Sequence, residues 1–309
     1  MSENGPAAET LDQARALDRA GRTIEVLILV KTTPNPSSTY EDTVCVAGIA
    51  LSPGPIRWVR LYPIPFRHLD HEQKFPKYGR VRVKVSAPKH GDGRAESLRV
   101  DLRSLTNVQH YKPGRERDII MASVPHTTTC DLMSGVRADA NGPSLGLVDA
   151  LDVKLTVEPH PGWSPRQQRI LDRWQSQPAL PLDGSEHVDA PPLENPPFKA
   201  WYSYRCTAPG CRGHRQGILD WELTALQRKA LAKAAEPEEW IRGQFGGRIL
   251  DPVRKQFLSL GNQAAATKRT AFSVLSVYYP KKTDGLVRST HEPSRRARCS
   301  RRRAPRVRP

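Results

Sequence analysis

Apolar and polar positions in the first third of the chain fall in short blocks with the spacing of strands. Residues 23–31 (TIEVLILVK) are a near-continuous run of β-branched and leucine side chains, stopped by the turn cluster at Pro34, Asn35 and Pro36. Such a run predicts a strand buried on both faces. Residues 43–51 (TVCVAGIAL) and 56–62 (IRWVRLY) repeat the pattern. Residues 80–86 (RVRVKVS) alternate strictly, with Val81, Val83 and Val85 on one side and Arg80, Arg82 and Lys84 on the other. One face of that strand is core and the other a cationic stripe.

These blocks lie close together and are separated by Gly/Pro turns, which predicts a small curved sheet or partly closed barrel of the oligonucleotide-binding or pseudouridine-synthase-associated kind. Residues 98–122 read as a helix or irregular segment and 145–157 as a turn entering another strand. The stretch 158–197 is Pro-rich around a short helical segment at 166–174; it reads as a linker or arm, and Trp163 and Trp174 would let it wrap a core. From Phe198 onward the pattern gives a strand to Arg205, a Cys/His loop, a helix over 221–233, a short helix over 237–245, and strands at 256–260 and 271–279. The whole is an α+β protein: a flexible N-terminus (1–22), a β-rich module (23–157), the Pro-rich connection (158–197), a C-terminal α/β module (198–282) and a disordered Arg-rich tail (283–309). Residues 10–20 have helical spacing but are short enough to fray.

Charge narrows the partners. The formal net charge is +16, and the end from His291 to Pro309 carries eight Arg against Glu292. An anionic partner, DNA or RNA, is the natural match. Between Arg57 and Arg103 twelve Lys/Arg stand against five Asp/Glu, interleaved with Trp58, Tyr62, Phe66, Phe75 and Tyr78. Cations suit phosphates and flat rings suit unstacked bases, so Arg57, Trp58, Arg60, Arg80, Arg82 and Lys84 are the expected nucleic-acid-binding residues. No apolar run is long enough to span a bilayer, and the acidic start of the chain does not read as a secretory signal. Five cysteines, an odd number, fit a reducing, cytoplasmic compartment better than a disulfide framework.

The strongest local motif is Cys206, Cys211 and His214, with Pro209 and Gly210 making a tight turn between the thiols. Zinc takes four such ligands, and Cys130, His126 or Asp220 are the options for the fourth. Asp220 and Glu222 stand directly after it. On a strand they would share a face and could hold magnesium in a nuclease; before a helix, Asp220 is a cap and Glu222 a first-turn acid. The following residues favour helix, so the catalytic assignment to Asp220 and Glu222 is the lesser one. Gly261 and Asn262 read as a turn or as amides that recognise a base edge. No catalytic triad, phosphate-cradling loop or dinucleotide fingerprint is present.

Residues 30–45, 58–67 and 201–222 resemble a group of uncharacterised bacterial proteins, over about residues 23 to 280, and the resemblance implies no activity. The sequence therefore points to an accessory, non-enzymatic nucleic-acid-binding protein with a zinc knuckle. The alternatives are a metal-dependent nuclease or other nucleic-acid-processing enzyme, and a basic protein-interaction adaptor.

Overall fold

The structure is a computed structural model, and it describes residues 9–37, 41–89, 92–176 and 192–282. In chain order the elements are α1 (Leu11–Gly21), β1 (Arg22–Lys31), β2 (Asn35–Ser37), β3 (Glu41–Ser52), β4 (Arg57–Ile64), β5 (Gly79–Ser86), β6 (Ser97–His110), α2 (Arg115–Ala122), β7 (His126–Thr127) and α3 (Thr129–Ala138). There follow β8 (Leu145–Pro159), α4 (Pro165–Gln175), β9 (Phe198–Cys206), β10 (His214–Gly217), α5 (Trp221–Lys233), α6 (Pro237–Ile241), β11 (Gln256–Gly261) and β12 (Ser273–Tyr278). No helix among the described residues is long and apolar enough to cross a membrane.

The first sheet closes on itself. Its order is β1-β5-β6-β4-β3, and β3 pairs back onto β1. Counted along the chain, the ring runs first, second, third, fifth, fourth, first, with β4 and β6 parallel and the other pairs antiparallel. That connectivity is an oligonucleotide-binding (OB) barrel. Ile24, Val26, Ile28, Val44, Val46, Val59, Leu61, Val81, Val83 and Val85 fill it.

The second sheet repeats the plan. Its order is β10-β9-β8-β11-β12, and a parallel bridge from Ile218 to Val274 brings the end of β10 against β12. A helix, α5, follows the third strand, and Leu223 and Ala230 on it join Tyr202, Tyr204, Leu258 and Val274 in one core. A strand expected in the first module, residues 145–157, is thus the first strand of the second barrel, because its partners are β9 and β11. Residues 97–110, expected as helix or irregular, are the long strand β6 that pairs with β5.

A third cluster joins the barrels. Leu27, Leu29, Ala47, Ile49 and Trp58 on the outside of the first pack against Leu145, Leu147, Phe257 and Leu275 of the second. This is why 23–31 is apolar at successive positions: Ile24, Val26 and Ile28 point into the barrel, and Leu27, Leu29 and, past a register shift, Val30 join the contact with the neighbour. Gly261 keeps the second barrel's side of this contact closely packed, since a Cβ there would lie 2.5 Å from Leu275 and 3.0 Å from Leu145, with Arg60 of the first barrel at 3.4 Å.

The N-terminal segment is not the flexible stretch expected from its length. Thr10 and Gln13 form a capping box on α1, and Asp18, 1% exposed, receives Arg57 through two hydrogen bonds of 2.8 and 2.7 Å. Residues 1–8 lie outside the described residues, as does the tail from 283. The Pro-rich connection is an arm as far as it is described: α4 lies on β2, with Trp174 Nε1 donating to the Ser37 carbonyl at 2.8 Å and Gln167 Nε2 donating to Asn35 Oδ1 at 2.9 Å.

Arg57 and Asp18 are both inaccessible, so Asp18→Ala strands a guanidinium in the protein interior. A loss of about 3–5 kcal/mol in urea unfolding is expected, against a much smaller change for Asp12→Ala on the exposed side of the same helix. Equal effects would remove the buried pair as the anchor of α1.

Candidate metal centre and nucleic-acid interface

Four side chains from three elements converge at one end of the second barrel. Cys206 is the last residue of β9, His214 the first of β10, Cys211 lies in the turn between them, and Cys130 is in the first turn of α3. The turn is built by its sequence: the Cys211 amide donates to the Ala208 carbonyl at 3.2 Å, with Pro209 and Gly210 at the central positions and Gly210 at φ +71°. A type II turn requires that positive φ at its third residue, which glycine supplies without strain.

The three thiol sulfurs and His214 Nε2 all lie within 4.8 Å of one another. Cys206 Sγ is 3.7 Å from Cys130 Sγ and 3.5 Å from His214 Nε2; His214 Nε2 is 3.6 Å from Cys130 Sγ and 3.2 Å from Cys211 Sγ. Ligands about 2.0–2.3 Å from a central ion at tetrahedral angles stand about 3.3–3.8 Å apart, so the donor set has the size of a metal site. Its electrostatics agree. Burial works against ionising Cys206, yet the amides of Ala208 and Cys130, with His214, hold its thiol down at about 6. Burial and the neighbouring Cys206 and Cys211 push the Cys130 thiol up to about 12. Several thiolates at this spacing repel, and a cation at their centre removes the repulsion. The cluster can therefore bind a metal. Of the three candidates for the fourth ligand it selects Cys130; His126 instead meets Asp149, and Asp220 caps a helix.

Asp220 accepts a 2.9 Å hydrogen bond from the Glu222 amide at the start of α5. Between the two acids sits the ammonium of Lys77, from the loop before β5, 3.0 Å from Glu222 Oε2 and 3.7 Å from Asp220 Oδ2, and also donating to the Val277 carbonyl at 3.0 Å. The place between these carboxylates is taken by a protein cation, and the pair joins the two barrels. Burial raises the Asp220 carboxyl to about 6, with Glu222 adding repulsion and Lys77 opposing.

Half of the expected nucleic-acid residues are inside the protein. Arg57 is bound to Asp18, Trp58 packs at the inter-barrel contact, and Arg60 crosses that contact to donate to the Ser144 carbonyl at 3.2 Å. Arg57 and Arg60 are 2% and 3% exposed, so neither is open to a phosphate. Arg80 and Arg82 do leave the barrel, but both bond Glu25, whose carboxyl they hold below the usual range. Lys84 is exposed. Asn262 is buried, its amide donating to the Arg269 carbonyl at 2.7 Å while its own carbonyl accepts from Arg94 at 2.8 Å; it is a structural turn.

A different surface carries the exposed cations and an aromatic ring together. Along β9, Ala200, Tyr202, Tyr204 and Cys206 face the core, and Lys199, Trp201, Ser203 and Arg205 face out. On β10, Arg215 pairs with Ser203, and its guanidinium sits 4.4 Å from the Trp201 ring centre. Lys154 on β8 stands across Ser203 on the other side. Asp152 and Glu158 offset part of this charge through Arg205 and Arg215. The sequence signal was a tryptophan between Lys199 and Arg205 on the polar side of an alternating strand.

A family model described as a domain of unknown function (DUF8757) matches residues 125–300, more than half of the chain. The chain belongs to that family. All four residues of the metal cluster fall within the matched region. A second domain of unknown function (DUF8758) matches residues 22–123, so the two matches meet between α2 and β7. No curated protein matches the chain. Among solved structures it is similar to a murine DNA binding protein bound with double-stranded DNA, at 7% identity and a TM-score of 0.27, covering 84% of this chain and 97% of that one. It is also similar to the tetrameric p202 HIN2 domain, at 9% identity and 0.27 over 85% and 94%. For the Ifi202 HINa domain in complex with a 20-bp duplex the values are 7% and 0.28 over 85% and 97%. Likeness of this degree says nothing of function.

The Asp220 environment sets a pH dependence. An unfolded Asp ionises near pH 3.9, whereas the folded carboxyl keeps its proton to about 6. Between those values the folded chain binds more protons than the unfolded one, so this group's contribution to stability falls as the pH rises through about 4 to 6 and is level above. Asp220→Asn keeps the cap but cannot titrate. Relative to that variant, wild-type stability should drop on the order of 2 kcal/mol across the window in denaturant unfolding. Parallel profiles would show that Asp220 is ionised throughout.

Proposed function

We propose that this chain is a nucleic-acid-binding protein whose second barrel, stapled by a zinc ion, receives a single strand across β9 and β10. The observation that carries the reading is the outward face described above: Trp201 offers a flat ring, with Lys154, Lys199, Arg205 and Arg215 around it. Stacking surfaces among cations are what an unpaired strand needs. In OB barrels the second and third strands form the oligonucleotide-binding face, and β9 and β10 are those strands here. The equivalent face of the first barrel is covered by the second, which leaves only its β5–β6 side, with Arg82 and Lys84, as an auxiliary cationic surface.

Zinc is the metal that the donors favour. Three thiolates and an imidazole suit a soft or borderline ion, whereas magnesium and calcium take oxygen ligands. Cys130, Cys206 and Cys211 are free thiols, as a reducing cytoplasm would keep them. The accessory, non-enzymatic reading is preferred to a nuclease because Lys77 fills the space between Asp220 and Glu222.

Fluorescence anisotropy with labelled single-stranded DNA and RNA over a salt series tests the reading. Binding should weaken with a log–log slope of about 0.7 per phosphate contact, and Arg205→Glu with Arg215→Glu should lower affinity at least tenfold and flatten that slope. Trp201→Ala should lower affinity with the slope unchanged. No salt-dependent binding to any strand would leave a basic protein-interaction adaptor as the better account. Separately, purified protein should contain about one zinc per chain. A chelator, or Cys130→Ser, should lower the melting temperature by several degrees; metal-free protein with unaltered melting would remove the staple.

A further inference from the structure

A cavity of about 280 Å³ opens beside the start of β9, between that strand and α5. Phe198, Trp201 and Leu223 form apolar walls, and His160, Gln227 and Lys199 bring polar atoms to it. Gln227 is 1% exposed, and its Oε1 accepts from the Phe198 amide at 3.4 Å. A backbone N–H only donates, so the side-chain oxygen must be the atom facing Phe198. That leaves the Gln227 NH2 as the part of the side chain free to donate into the cavity that the residue lines.

A second donor stands nearby. His160 Nδ1 accepts from the Gly162 amide at 3.0 Å, which puts the proton of the neutral ring on Nε2. Burial and the neighbouring Lys199 hold that histidine below its ordinary pKa, so the ring is neutral near pH 7. Lys199 itself is exposed at the rim. The cavity therefore combines aromatic and aliphatic walls, two neutral hydrogen-bond donors and one cation at its mouth. Its volume lies at the small end for ligand sites, suited to one heterocycle.

We propose that the cavity seats a single unpaired nucleobase of the strand crossing β9 and β10, with Gln227 and His160 donating to its carbonyl oxygens and Lys199 holding the adjoining phosphate. The proposal rests on the strand-binding reading above and gives it base preference. Uracil and thymine carry two ring carbonyls and can satisfy both donors, guanine and cytosine carry one, and adenine carries none. A purely apolar occupant would leave both donors unmade.

The test uses the full chain and twelve-nucleotide oligo-thymidine and oligo-uridine strands, intact or with one abasic position moved along the strand. The expected result is one position at which loss of the base lowers affinity about tenfold, and an oligo-adenosine strand that binds about tenfold more weakly. Gln227→Glu retains the acceptor for the Phe198 amide while replacing the free donor, so it should erase both differences. Lys199→Gln, at an exposed position, removes the cation without setting a like charge across from Glu158 and should lower binding of the intact strand several-fold. If abasic, adenosine and intact strands bind alike while the Arg205 and Arg215 variants still lose binding, the base pocket is overturned and the strand-binding face stands. If no strand binds but uridine or thymidine monophosphate alone does, with loss in Gln227→Glu, the cavity holds a free nucleotide and the strand reading falls. Failure of both ligands overturns both.

Discussion

Leu27, Leu29, Ile49 and Trp58 of the first barrel lie against Leu145, Leu147, Phe257 and Leu275 of the second, and none of them is more than 9% exposed. Outward positions of a small barrel are ordinarily polar, because they meet water. Here they are apolar over β1, β3 and β4, and the gain from removing that surface from water is available only while the barrels remain docked. Docking in turn imposes a condition on every charge near the contact. Lys77, Arg60 and Arg94 run into it from the first barrel, and each meets acceptors that offset part of the cost of its burial: Glu222 and Val277, Ser144, and Asp92 with Asn262, with Arg60 Nε left over. An unpaired cation at any of these points would work against docking.

The same contact decides which surfaces remain for function. Two barrels of one topology would offer two equivalent faces, but docking spends that of the first and leaves that of the second. The exposed arginines on β5 share one carboxylate, Glu25 on its neighbour. Arg205 and Arg215 on β9 and β10 are paired with Asp152 and Glu158, and differ in standing on the face that carries a tryptophan and borders a cavity. Equal composition thus yields different surfaces, because the neighbouring barrel and not the local sequence determines what is covered.

This explains how much the sequence disclosed. Local signals suffice for β1, β3, β4 and β5 of the first barrel though not for β6, for α5 with its Asp220 cap, and for Cys206, Cys211 and His214, since turn residues, alternation and helix propensity act over a few positions. The identity of Cys130 as fourth donor was one of three options because it depends on where α3 is placed by the core beneath it. The burial of Arg57, Trp58 and Arg60 is not legible for the same reason: an alternating basic and aromatic strand looks alike whether its outer side meets solvent or a second barrel. The helix at residues 11–21 has only a weak local signal because its main anchor, Arg57, is 39 positions from Asp18. Residues 145–157 were grouped with the preceding strands by proximity along the chain, whereas their hydrogen bonds go to residues 198–206 and 256–261.

The metal cluster spans a long stretch of chain. Cys211 and His214 are three residues apart, and Cys206 is close to both, but Cys130 precedes His214 by 84 residues. During synthesis the hairpin can gather its three donors as soon as it is made. The fourth depends on the docking of α3, across a long loop whose closure carries its own entropic cost. A metal held by all four donors would therefore tie α3 to the β9–β10 hairpin across that stretch: a chain whose β8–β9 pairing had slipped in register would keep the three donors of its hairpin and lose Cys130 from the set.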